Sequence, residues 1–165
     1  MTAPHAGLRP RVGGVAGGVG TSTIASLVDG ADVGAWSMGP LDVLVCRPTA
    51  SSTAAAQRIL GGDFQLLGCR PVLVVISDGL PGTPADSAAR LTMLRPLCRA
   101  VIELPYAVQW RQSTCAAGDV HAAPASFTRA VNRIRAALDQ PRLSPLPSAT
   151  RFGRRFHLYR KEIHP

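Results

Sequence analysis

The sequence predicts an α/β protein with three layers, in which helices cover both faces of a mostly parallel sheet. Two observations support this prediction. Short apolar runs alternate with alanine-rich or amphipathic stretches along residues 1–139. The run from Pro71 to Ile76 (PVLVVI) is almost unbroken in apolar and β-branched residues, which is typical of a strand covered on both faces. Apolar residues make up 46% of the 165 residues and charged residues 17%, so the chain can bury a core.

The first half of the chain is predicted to hold two strands and two helices. In order they are a strand over 11–15, a helix over 22–28, a strand over 41–46 and a helix over 54–60 that stops at Gly61-Gly62. Asp29 and Gly30 end the first helix, and the residues that follow, through Trp36, are expected to form a loop. Ser51 or Ser52 is the expected N-cap of the second helix.

The second half continues the alternation with a strand over 71–76, a helix, a strand over 101–104 and a final helix. Thr83 is the expected N-cap of the first of these helices, with Pro84 at its first position and Asp86 three residues beyond the cap. The final helix is predicted from four apolar residues at i, i+4, i+7 and i+11, which share one face: Phe127, Val131, Ile134 and Leu138.

Charge and cysteine content indicate the class of protein and its organisation. The net charge is +8, and residues 140–165 hold six basic residues against one acid. We therefore divide the chain into an α/β domain (1–139) and a proline-punctuated linker with a basic tail (140–165). The four cysteines are 23, 29 and 17 residues apart, which fits no metal or redox motif, so ordinary buried thiols are expected. Without an apolar targeting or spanning run, the chain is expected to be cytoplasmic.

The most informative local feature is a glycine-rich run from Val15 to Thr23, VAGGVGTST. It has the form of a phosphate-binding loop that follows a strand and opens a helix. Three glycines would form the cradle (Gly17, Gly18 and Gly20), and Ser22 would offer the hydroxyl that holds Mg²⁺. Thr21 stands where such a loop has its lysine. A tight turn that binds no ligand is the alternative.

Together with later segments, this loop resembles that of the ParA/MinD family of P-loop ATPases, whose loop reads KGGVGKTT. Residues 16–23 (AGGVGTST) match it without its two lysines. Residues 42–49 (DVLVCRPT) and the alanine-rich helix after them resemble the family's late strand and helix, and residues 72–76 resemble its next strand. Leu104-Pro105-Tyr106 is similar to the family's (Ile/Leu)-Pro-Tyr beside the nucleotide base.

The resemblance implies a bacterial, P-loop-like protein that binds ATP or ADP with Mg²⁺. The residues it assigns to the nucleotide are Gly17, Gly18, Gly20, Thr21, Ser22, Thr23, Asp78, Pro105 and Tyr106, with Ser22 as the Mg²⁺ ligand. It also implies a homodimer or a protein partner, in DNA partition, conjugation, or positioning of a secretion or pilus machine.

Efficient hydrolysis is not expected, because both loop lysines are missing and no catalytic residue can be assigned. The family's switch I aspartate and Walker B strand would fall between Gly30 and Leu41, where the chain is too short. Asp29 and Asp32 are interpreted as helix-end and loop residues. Asp78 is interpreted first as a cap of the Asp78-Gly79 turn, and the alternatives are that it imitates a Walker B acid or accepts a hydrogen bond from a base. Asp42 is at the wrong end of its strand. The leading interpretation is therefore a weak nucleotide binder or pseudo-ATPase adaptor.

Two other interpretations stay open. A hydrolase would need a cation from a partner, or from Arg11 or Arg47 folded toward the loop. Alternatively, the protein is a scaffold or DNA-associating accessory that acts through its tail, where five basic residues alternate with aromatic ones: Arg151, Arg154, Arg155, Arg160 and Lys161, with Phe152, Phe156 and Tyr159. This tail would bind nucleic acid or an anionic membrane, or pack its aromatic side chains on the protein body or on a second subunit.

Overall fold

The computed structural model describes residues 9–62, 67–80, 82–106 and 124–141. These ranges contain five strands and four α-helices. In chain order they are β1 (Arg11–Gly14), α1 (Thr21–Leu27), β2 (Ala31–Ala35), β3 (Val43–Cys46), α2 (Ala50–Gly62), β4 (Val72–Ile76), α3 (Ala85–Leu94), β5 (Ala100–Leu104) and α4 (Ala125–Asp139). A short 3₁₀ turn (Arg95–Leu97) follows α3.

The strands form one parallel sheet in the order β2-β1-β3-β4-β5. The chain first moves outward from β1 to β2, then returns to the other side of β1 and continues outward through β3, β4 and β5. The carboxyl ends of the parallel strands therefore lie at the same end of the sheet. The direction in which strands are added reverses between β1 and β3. The predicted α/β fold with a parallel sheet is confirmed.

Each face of the sheet carries its own apolar core. On one face, Ile24 of α1 and Phe127 of α4 pack with Val72 and Val74 of β4. On the other face, helices α2 and α3 pack against the intervening strand residues, of which Leu73 is fully buried. Alternate residues of β4 thus enter opposite cores, which confirms that the VLVVI run is buried on both faces.

The predicted apolar face of α4 is also confirmed. Phe127, Val131 and Ile134 are at most 1% exposed, and Leu138 is partly buried against the same core. Burial of each of these side chains contributes about 1.5–3 kcal/mol to the free energy of unfolding. The helix is held at its carboxyl end by Arg99, whose Nη1 donates to the Ala137 carbonyl at 3.0 Å.

The expected loop before Trp36 is wrong, since residues 31–35 form strand β2. The sequence ADVGA has little strand propensity, and β2 lies at the sheet edge with most of its residues exposed. Its pairing depends on backbone bonds to β1, including Ala31 N–H to the Pro10 carbonyl and Trp36 N–H to the Gly14 carbonyl, both 2.8 Å. Backbone bonds place no requirement on the side chains, so the sequence of β2 does not need the alternation of apolar residues by which a strand is predicted.

Two predicted helix starts are also wrong. Helix α2 begins at Ala50, and the Thr49 hydroxyl accepts from the Ser52 backbone N–H at 3.3 Å, so neither Ser51 nor Ser52 is the cap. Helix α3 begins at Ala85 after Pro84, and no side chain caps it. Thr83 lies outside this helix because Pro84 is still extended (ψ 141°).

Among the helices that the structure describes, none has the length and apolar character needed to cross a bilayer. The predicted linker and tail, from residue 142 onward, lie outside the described residues.

Candidate functional site

A cleft of about 360 Å³ opens at the carboxyl ends of the parallel strands. Its lining comes from the segments after β1 and β3 and from the last residues of β4 and β5 with the residues that follow them: Val19, Gly20, Thr23, Arg47, Ile76, Ser77, Asp78, Leu104, Pro105 and Tyr106. Parallel strands place these sequence-distant segments side by side. The cleft therefore brings together the second half of the glycine loop and the three residues predicted to lie near a base.

The cleft includes the point where the winding of the sheet changes direction. The chain leaves β1 toward α1 on one face and leaves β3 toward α2 on the other. The two connections diverge and leave a crevice, which is where open α/β sheets bind their ligands. Gly20 and Arg47 lie on the two sides of this crevice.

Gly20 is required chiefly by its backbone conformation, since the one described atom close to an added Cβ is the end of the flexible Ile76 side chain. Its φ of 100° is in the region that side chains disfavour, and it immediately precedes α1. A Cβ at Gly20 would also lie 2.6 Å from Ile76 Cδ1. Gly17 and Gly18 differ, because a Cβ there would meet no described atom within 4 Å. Both are exposed and neither lines the cleft.

The residue at the lysine position, Thr21, does not face the cleft. It is only 8% exposed, and a Cβ at Gly14 would lie 2.5 Å from its Oγ1. Thr21 therefore fills the space beneath the loop, beside the end of β1. Its side chain is therefore not among those that line the cleft.

A positive charge reaches the loop from a different strand. Arg47 follows β3 directly, and its Nη2 donates to the Gly18 carbonyl at 2.8 Å. Of the two arginines expected as possible substitutes for the lysine, Arg47 is therefore the one folded toward the loop. Arg11 instead donates from Nε to the Pro40 carbonyl at the opposite edge of the sheet.

Ser22 forms a pair with an acid that the sequence interpretation set aside. Its Oγ donates to Asp32 Oδ2 at 2.6 Å, and Asp32 Oδ1 accepts from the Gly34 N–H at 2.8 Å. Both side chains are exposed, and the pair lies on the β2 side of the loop rather than in the lining of the cleft. Asp32 was interpreted as a loop residue, yet it lies within β2. The signal for this contact is the pairing of β1 with β2, which the sequence pattern does not reveal.

The far wall of the cleft consists of Asp78, Pro105 and Tyr106. Asp78 Oδ1 accepts from the Leu80 N–H at 3.2 Å, so its interpretation as a turn cap is confirmed while the carboxylate also lines the cleft. The Tyr106 ring packs beside Gly79, where an added Cβ would lie 3.0 Å from Tyr106 Cδ1. Asp42 is 4% exposed and accepts from the Arg11 N–H, so it lies at the opposite edge, as predicted.

The thiols near the sheet are poor nucleophiles. Burial raises the pKa of Cys46 and of Cys98 to about 12, and the neighbouring Cys98 adds to the effect on Cys46. Cys46 and Cys98 are free thiols. Cys46 directly precedes Arg47, yet it would stay protonated at neutral pH. Within the described ranges, no group of three or more His, Cys, Asp or Glu side chains is placed to hold a metal.

Comparison with protein-family models, curated proteins and solved structures finds no match for this chain. The functional interpretation therefore depends on the geometry of the cleft and on the chemistry of its residues.

Proposed function

We propose that this protein is a shortened ParA/MinD-like member of the P-loop class that binds a nucleotide weakly and acts as a pseudo-ATPase adaptor. The observation that supports the proposal best is the composition of the cleft. One opening at the winding change holds Gly20 and Thr23, a basic side chain (Arg47), and a wall formed by Asp78 and Tyr106.

The two ends of the cleft suit different parts of a nucleotide. Gly20, Thr23 and Arg47 provide backbone N–H, hydroxyl and guanidinium donors for phosphate oxygens. At the other end, the Asp78 carboxylate is an acceptor for an amino group of a base, and Tyr106 offers an aromatic ring. A volume of about 360 Å³ lies at the lower end of the usual range for small-molecule sites.

The Ser22–Asp32 pair is suited to Mg²⁺. A hydroxyl and a carboxylate are hard oxygen ligands, and Mg²⁺ is commonly held by one or two protein groups with phosphate oxygens and water completing its shell. Ser22 and Asp32 would hold the ion on the β2 side of the loop. Since this pair lies outside the lining of the cleft, the ion would neutralise phosphate charge only if phosphate oxygens of the nucleotide extend past the loop to this side.

Two features argue against rapid hydrolysis. Thr21 is buried beneath the loop, so no side chain replaces the lysine at that position. Helix α1 has only seven residues, so its dipole is short. Phosphoryl transfer needs charge neutralisation and a positioned water at the γ-phosphate, and these residues support binding better than turnover.

Calorimetric titration of the full-length chain with ATP, ADP and GTP, each with and without Mg²⁺, tests this function. We expect weak one-site binding, with Kd of about 0.1–1 mM. Gly20→Val should abolish it, because its side chain would meet Ile76 and force a disfavoured φ.

Gly61→Ala is the matched control, since Gly61 lies in α2 and a Cβ there meets no described atom within 4 Å. Gly20→Ala serves if Gly20→Val does not fold. The proposal is wrong if millimolar nucleotide gives no binding, or if the Gly20 variants fold and bind as the wild type does.

A further inference from the structure

We propose that Arg47 is the cation of this site, and that its guanidinium binds the phosphate oxygens of a polyphosphate ligand in place of the missing loop lysines. In the free protein, the same guanidinium is held on the Gly18 carbonyl. The inference rests on the proposed function, and it assigns the charge that the glycine loop itself lacks.

The first support is position. The Arg47 side chain lines the cleft together with Gly20 and Thr23, and its Nη2 is already 2.8 Å from the loop at Gly18. Among the cleft residues that the structure describes, it is the one with a basic side chain. An anion that enters the cleft between the loop and β3 therefore meets this guanidinium.

The second support is the nature of the bond that would be exchanged. The Gly18 carbonyl is a neutral acceptor, whereas a phosphate oxygen forms a shorter and stronger charge-assisted bond with a guanidinium. The planar fork of arginine also matches two phosphate oxygens at once. A polyphosphate would therefore compete successfully for Arg47.

The third support is that the loop can release the arginine without disturbing the core. Gly18 and its bond to Arg47 are exposed, so the guanidinium can leave the carbonyl by turning its own side chain while the loop stays in place. The backbone of Arg47 is fixed independently, because its N–H donates to Ser52 Oγ at 2.8 Å and Ser52 is only 8% exposed. The side chain can turn while its origin stays in place.

The experiment compares Arg47→Gln, Arg47→Lys and Arg58→Gln with the wild type, as full-length proteins, in calorimetric titrations with ATP, inorganic tripolyphosphate and adenosine. Arg58 is the matched control, since it is exposed on α2 and removing it changes the net charge equally. Circular dichroism and thermal melts establish that each variant is folded.

We expect Arg47→Gln to weaken ATP and tripolyphosphate binding by about 10- to 100-fold, the range for one charge-assisted bond. Adenosine binding should change less than about twofold. Arg47→Lys should recover part of the affinity, because it keeps the charge but loses the fork. Arg58→Gln should behave as the wild type does.

The outcomes separate this inference from the proposed function. If the wild type binds ATP and folded Arg47→Gln binds it equally well, the role of Arg47 is refuted and the nucleotide site stands. If tripolyphosphate binds through Arg47 but no nucleotide binds, the arginine site stands and the proposed function falls. If the wild type binds neither ligand, both are overturned.

Discussion

At the scale of single residues, the positive charge beside the glycine loop comes from a residue outside the loop. Thr21 occupies the lysine position but is buried, while Arg47 brings a guanidinium to the same loop from another strand. Gly20 permits the close approach of the loop to Ile76. Cys46, one residue before Arg47, is held neutral by its burial, so the cleft edge carries positive charge without an opposing thiolate.

The buried thiols predict a pH dependence of stability. The folded-state pKa of Cys46 and of Cys98 is raised to about 12, from about 8.5 in an unfolded chain. Above that unfolded value the unfolded state loses its thiol protons first, so the free energy of unfolding should fall as pH rises from about 8.5 to 12. Each thiol should contribute up to about 1.4 kcal/mol of loss per pH unit in this window.

Urea denaturation of the wild type and of Cys46→Val at several pH values measures this effect. The wild type should lose more stability than the variant between pH 9 and about 11, and the two should run parallel below pH 8. Identical alkaline slopes would show that Cys46 titrates as freely in the folded state as in the unfolded one.

At the scale of elements, strand β2 completes the candidate ion site, because it supplies the carboxylate beside Ser22. Its pairing with β1 places Asp32 opposite Val12 and within 2.6 Å of Ser22 Oγ. The strand is short and mostly exposed, and the backbone bonds to β1 hold it at the sheet edge. The ion site therefore depends on an element whose side chains contribute little to the core.

Asp32→Asn tests the role of this element. The variant keeps a polar partner for Ser22, so the free energy of unfolding should change by less than about 1 kcal/mol. It should, however, remove the gain in ATP affinity that Mg²⁺ gives, since an amide is a weaker ligand for this ion than a carboxylate.

Asp29→Asn is the control, because Asp29 is an exposed acid at the end of α1 that pairs with Arg9. Titrations with and without Mg²⁺ provide the measurement. If ATP affinity depends on Mg²⁺ equally in Asp32→Asn and in the wild type, the Ser22–Asp32 pair does not hold the ion.

The elements also show which parts of the structure a sequence can predict. Helix α4 was predictable because Phe127, Val131 and Ile134 repeat with the helical period and enter one core. Strand β2 was not, because its pairing is formed by backbone bonds between residues that lack an apolar pattern. For the site, the strand-end positions of Gly20 and Asp78 followed from the order of elements. The direction of the Arg47 side chain depends on its contact with Gly18, which is 29 positions away in the sequence. The pairing of Ser22 with Asp32 spans 10 positions. Local sequence patterns do not encode contacts of this kind.

At the scale of the whole molecule, the strand order decides where a ligand can bind. The change of winding between β1 and β3 opens the cleft at the carboxyl ends of the strands. At the opposite end of the sheet, the Arg11 N–H donates to the Asp42 carboxylate and the Asp42 N–H donates to the Arg11 carbonyl. The basic tail remains a separate prediction from the sequence. Its five basic and three aromatic side chains predict salt-sensitive binding to nucleic acid or anionic lipid.

Removing residues 142–165 tests whether the cleft binds the nucleotide while the tail binds nucleic acid or lipid. The truncation keeps Gln140, whose carbonyl accepts from Arg99, and so preserves the end of α4. ATP affinity should stay within about twofold of the full-length value, because the cleft residues that the structure describes are all kept. Salt-dependent binding to DNA or to anionic vesicles should disappear. Unchanged DNA and vesicle binding would place that activity on the α/β domain instead.

The most direct test of the central claim is an amide-resolved NMR titration of the full-length protein with ATP and Mg²⁺. The account predicts saturable shifts centred on Gly18, Gly20, Thr23, Asp78 and Tyr106, with smaller changes elsewhere. Shifts confined to the tail over 151–161, or no shifts at millimolar ATP, would contradict it and leave the cleft without a nucleotide.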